Sequence, residues 1–181
     1  MTEMTEKHFT TQDIALISIF SALWIVLNYY AAPLSFQLLH LPVGHGILVF
    51  LTLLLVTWAT GKYGAASAVG IIGSTIVLLA GGPLPVLSFA VTSLLFDVIL
   101  TATHHELKIK PYNISIAVLA TAIAAYTAGI ITGVFILNQQ LQYSTTVWGG
   151  WTLLGGIIGA AVTLPLIGVL EKANVKRIKT A

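Results

Sequence analysis

Cysteine is absent from the chain, which excludes disulfide staples, thiolate nucleophiles and cysteine-ligated metal sites. Charge is scarce too: 8 Lys and Arg with 6 Asp and Glu make up 8% of 181 residues. The net charge of +2 comes with no basic stripe interleaved with aromatics, so nothing points to a nucleic-acid partner. Signatures of catalysis are missing as well. There is no glycine-rich phosphate loop ending in Lys, no Gly-x-Ser-x-Gly, no His-Glu-x-x-His, and no serine beside a credible base. The chain is therefore expected not to be an enzyme and to carry no cofactor or resident metal. Work driven by ATP would fall to another chain.

Apolar residues are plentiful. They are 57% of the sequence, and the mean hydropathy is +0.95, a balance suited to lipid rather than water. Runs near the roughly 20 residues that cross a bilayer predict helices over 14–30, 44–60, 64–80, 86–102, 114–137 and 151–170. The fold class is thus an all-α integral membrane bundle of six transmembrane helices, in one domain spanning 1–181. Turn chemistry marks the breaks: Pro33, Pro42 with Gly44, "GKYG" at 61–64, "GGPLP" at 81–85, "HHELKIKP" at 104–111 and the polar 138–150. Sorting the connections by side puts Lys7, Lys62, Lys108, Lys110, Lys172, Lys176, Arg177 and Lys179 together. The other set, 31–43, 81–85 and 138–150, has no Lys or Arg. By the positive-inside rule both termini are cytoplasmic, in a multi-pass protein of the cytoplasmic membrane.

Polar and aromatic residues gather on the lysine-free side. Asn28, Tyr29, Tyr30, Gln37, His40, His45, Asn138, Tyr143, Trp148 and Trp151 are the candidates for contacting a small solute there. They offer stacking faces and neutral donors and acceptors, a set suited to a flat heteroaromatic. Tyr and Trp also belong at membrane interfaces for purely structural reasons. His40 and His45 are five apart and separated by Pro42, so they do not make the i, i+4 pair of a helical metal site. His104 and His105 fall on the opposite side and read as a solvated helix end. Asp97 is the single acid within an apolar run, about 7 Å from its end at 1.5 Å per residue; a hydrogen bond to Thr101 or to a neighbouring span's hydroxyl would accommodate it. Small residues recur at four-residue spacing in Ser18/Ala22, Ala66/Gly70, Ala120/Ala124, Gly129/Gly133, Gly155/Gly159 and Gly156/Ala160. Such stripes let helices approach closely in lipid, and one on an outer face would dock another membrane subunit.

The small-residue first helix "IALISIFSALW", the outer "LLHLPVGHGILVFLTLLL" and the compact "GKYGAASAVGIIGSTIVLLAGG" together resemble the substrate-binding S components of energy-coupling factor transporters. The resemblance covers nearly the whole chain. It implies a membrane subunit that captures a vitamin-like micronutrient from outside, of thiamine or pyrimidine type by the residues above. It also implies partners: a transmembrane coupling protein and two ATPase subunits. The family's Ala-x-x-x-Ala coupling motif on the first helix has its counterpart here in Ser18 and Ala22. The metal-specific branch begins Met-His, whereas this chain begins "MTEMTEKHF", which argues against cobalt or nickel. The alternatives are a structural or accessory subunit of a larger complex, a transition-metal S component, and a self-sufficient channel or carrier, which would need a continuous polar path where the inner halves of the spans have few polar groups.

Overall fold

The computed structural model describes residues 9–105, 107 and 110–173. Lys7, Lys108, Lys176, Arg177 and Lys179, used above for orientation, lie outside the described residues, as do both termini. Six helices and no strand are found among the described residues: α1 (Thr11–Leu38), α2 (Val43–Thr60), α3 (Ala65–Leu79), α4 (Val86–Thr103), α5 (Pro111–Ile136) and α6 (Leu141–Lys172). All but α3 are long and apolar enough to cross a bilayer. The protein is a multi-pass, all-α membrane bundle. Its outward surface agrees, since Ile19, Val26, Leu79, Phe135 and Val169 are all more than half exposed, as side chains facing lipid would be.

Local chemistry explains most helix ends. Thr10 caps α1 in a capping box with Asp13, and Asp13, almost fully buried, pairs with Lys62 at 2.8 Å. That contact ties the start of α1 to the α2–α3 connection. Gly61, at φ 62°, ends α2 and donates its N–H to the Thr57 carbonyl, a left-handed closure that favours glycine. Pro111 opens α5, where its missing N–H costs nothing. Inside the bundle, Thr57, Thr60, Thr92 and Thr163 each donate to the carbonyl four residues back, so their hydroxyls are satisfied without water.

The helices pack in the cyclic order α1, α2, α6, α5, α4, α3 and back to α1, and α2 also touches α3 and α5. Trp24, Phe50, Leu53, Leu54 and Phe96 fill the centre. Five of the six small-residue stripes are spent inside this ring. A Cβ on Gly155 would meet the Val43 carbonyl of α2, one on Gly159 would lie 2.8 Å from the Ile47 carbonyl, and one on Gly129 would meet the Trp148 carbonyl. Gly70 faces Ser93, and Ala120 and Ala124 are fully buried. Ser18 and Ala22 are the exception, exposed on the outer face of α1.

Two predicted breaks are helical. The first span does not end near Pro33: after Val26 the helix widens into a π-turn, Leu27–Ala31, and continues. Proline removes a donor and its ring crowds the carbonyl four residues back, here Tyr29. The wide turn relieves that, with Ala32 N–H reaching Leu27 O instead. Likewise 138–150 is not a loop. Asn138, at φ 50°, makes the corner, and α6 starts at Leu141, passes through another π-turn at Ser144–Gly149 and runs on. At 1.5 Å per residue α1 and α6 are roughly 42 and 48 Å long, against a hydrocarbon core of about 30 Å, so they tilt or project beyond it.

Candidate functional site: an aromatic slot at the lysine-free end

A cavity of about 400 Å³ opens at the end of the bundle opposite the Asp13–Lys62 contact. The end of α1, the start of α2, the start of α4, the end of α5 and the start of α6 converge on it. Four of the six prolines wall it, Pro33, Pro42, Pro83 and Pro85. Phe36, Phe89, Trp148 and Leu137 add apolar surface, and the polar lining is Gln37, His45, Thr132 and Thr152. Among the described residues no lining side chain carries a fixed charge.

The rings are arranged in parallel pairs. His45 and Phe89 lie with centroids 6.3 Å apart and planes within 2°; Phe36 and Trp148 lie 6.4 Å apart and within 13°. The indole is held in place because Trp148 Nε1 donates to Gln139 Oε1 at 3.0 Å. The four rings line the same space and offer stacking faces to a flat guest. The His45 ring carries the clearest sign of an unmet bond: its Nε2 is buried and has no partner. Leaving such a group unpaired costs about 1–3 kcal/mol, which a polar group on a guest would offset. Thr132 begins the π-turn Thr132–Ile136 at the end of α5, and its hydroxyl donates to Ser88 Oγ at 2.9 Å. Ser88 in turn donates to the Pro85 carbonyl at 2.8 Å.

Of the ten residues proposed from the sequence, Gln37, His45 and Trp148 line the slot. The other seven lie elsewhere. Asn28 is buried in the bundle, donating to Trp24 O at 3.0 Å. Tyr29 reaches across to the Ala80 carbonyl at 3.2 Å, bracing α1 on α3. Tyr30 is exposed and edge-on to Tyr29. His40, at φ 55°, terminates α1 with its N–H on Phe36 O. Asn138 and Tyr143 are exposed, and Trp151 is half-buried off the lining. Phe36, Phe89 and Thr132 were not among the ten, because nothing in an apolar run separates them from ordinary core residues. The one available signal was proline, concentrated on the lysine-free side.

The arrangement offers stacking and hydrogen bonding. Among the described residues no three His, Cys, Asp or Glu side chains converge, and His45 is the single titratable group on the slot. At the opposite end, His105 departs from the solvated position expected of it: it is buried, and its Nε2 lies 3.0 Å from the Asp97 carbonyl. The Asp97 carboxylate takes a neighbouring span's hydroxyl, that of Ser67, while Thr101 donates to the Asp97 carbonyl instead.

Compared with known proteins, the chain matches no family profile, no curated protein and no solved structure.

Proposed function

We propose that this chain is the solute-capturing membrane subunit of an ATP-driven importer in the cytoplasmic membrane, taking a small, flat, uncharged heteroaromatic of vitamin type. The observation that carries this reading is the slot. Two parallel ring pairs and an unpaired imidazole nitrogen surround about 400 Å³, within the roughly 300–1,000 Å³ typical of small-molecule sites. Its mouth belongs to the end whose connections lack Lys and Arg, which the positive-inside rule assigns to the outside. The sequence resemblance to S components agrees with this reading. In it, a coupling protein and two ATPases supply the energy, and the exposed Ser18 and Ala22 on α1 are the contact for the coupling protein.

That same exposed face supports a second reading, an accessory subunit that docks in a larger complex. A metal cargo fits the slot poorly, because His45 is its only imidazole among the described residues and amides bind borderline metals weakly. The test is thermal unfolding of the detergent-purified chain against thiamine, aminopyrimidines, other heteroaromatic vitamins and divalent metals. A true ligand at 100 times its Kd stabilises by about 2.7 kcal/mol, and Trp148→Ala removes that shift. No stabilisation by any flat heteroaromatic, with retained copurification of a membrane enzyme, refutes capture and favours the accessory role.

A further inference from the structure

The hydrogen-bond chain behind Thr132 runs in one direction. A carbonyl oxygen can only accept, so the Ser88 hydroxyl proton is committed to Pro85 O. Ser88 Oγ then has lone pairs but no proton for its other neighbour, and it accepts from Thr132 Oγ1 at 2.9 Å. The Thr132 proton is spent in turn. What Thr132 can offer the slot it lines is therefore lone pairs alone. Ser88 is fully buried and Thr132 nearly so, so water does not readily reset the direction. The other fixed donor nearby, Trp148 Nε1, is also spent, on Gln139.

We infer that the slot selects a solute carrying an N–H donor, such as an amino group on its aromatic ring, opposite Thr132, and discriminates against the isostere with a carbonyl there. This rests on the reading of the slot as a capture site and adds the polarity of the guest to it. A carbonyl placed against the Thr132 oxygen would set two acceptors face to face among mostly apolar walls. An amino group completes the chain guest → Thr132 → Ser88 → Pro85. Carboxylates fare worse still, since among the described residues no cation lines the cavity.

The experiment measures binding of two probes, 4-aminoquinazoline and 4-quinazolinone, to the purified full chain by titration calorimetry or indole fluorescence. The parent should bind the amino probe roughly tenfold or more tightly over the oxo probe. Thr132→Ser, which keeps the hydroxyl, should preserve that ratio. Thr132→Val should bring it near one. Ser88→Ala frees the Thr132 proton, so the oxo probe should gain and the ratio should fall by about tenfold. A parent that binds both probes equally, or favours the oxo probe, overturns the polarity while leaving capture intact, and so does a Ser88→Ala variant that binds both with the parent's ratio. Absence of binding by either probe, with no heteroaromatic stabilising the protein, overturns capture and this inference together.

Discussion

Removing the Asp97 carboxylate should loosen the bundle at one end without touching the slot at the other. Asp97 is fully buried on α4. Its Oδ2 accepts the Ser67 backbone N–H at 2.7 Å and the Ser67 hydroxyl at 2.6 Å, the latter a separation typical of a hydroxyl on a carboxylate. Ser67 is in the first turn of α3, whose N-cap is Gly64 and has no side chain to offer. Asp97 therefore caps α3 from the neighbouring helix, and its charge faces the positive end of the α3 dipole. Each hydrogen bond to a charged acceptor contributes about 1.5–3 kcal/mol, and two on one oxygen are not fully additive. Asp97→Ala should cost about 3–5 kcal/mol, since it also strands the Ser67 amide. Asp97→Asn, which keeps an acceptor of the same shape, should cost about half as much. The assay is equilibrium unfolding in mild-detergent micelles followed by circular dichroism, with ligand titration of the folded fraction alongside. Dissociation constants per folded molecule should be unchanged. An Asp97→Ala protein within about 0.5 kcal/mol of the parent would refute the capping role. Unchanged stability with lost binding or uptake would move Asp97 into the transport mechanism.

The slot should depend on its walls: Trp148→Ala should weaken the ligand roughly tenfold or more, and Gln139→Ala, which only releases the indole, about two- to fivefold, both by titration. Gly155→Leu would drive a side chain into the α2 backbone at Val43 and should destabilise by at least about 1–3 kcal/mol. Gly150→Ala, where nothing lies within 4 Å, should stabilise by about 0.5–1 kcal/mol; thermal unfolding of the pair checks both. Ala22→Trp, on the exposed face of α1, should leave folding and ligand affinity unchanged while abolishing pull-down of a coupling protein; retained pull-down would remove this face as the docking site.

Much of the bundle was legible because lipid imposes simple rules. Apolar runs, with turn residues between them, mark the helices, and the contrast between connections holding Lys62, Lys110 and Lys172 and those holding none separates the two ends. The stripe at Gly155 and Gly159 was equally readable as close packing, and it meets α2 carbonyls as such spacing allows. The trans cap was only half legible. Asp97 announces itself as an acid in an apolar run, but nothing local names Ser67, thirty residues away, as its partner.

The slot was the hardest to read because it is built on three interruptions of helical period. The π-turns Leu27–Ala31, Thr132–Ile136 and Ser144–Gly149 all sit at the cavity end. Each accommodates about one extra residue, which rotates everything beyond it by about 100° relative to a regular helix. Extrapolated at 100° per residue, the buried face of α1 that carries Ser21, Trp24 and Asn28 would continue through Ala31 and Ser35, whereas beyond the wide turn Ala32 is the buried residue and Phe36 the one that reaches Trp148. Thr132, by contrast, continues the regular buried face of Ala124 and Ala128 and reaches Ser88 just where its wide turn begins. Regular helices would seal this end as they seal the rest of the bundle. The wide turns, with four prolines that hold the walls apart, keep it open, so the features that defeat periodic reading are the ones that create a place for a guest.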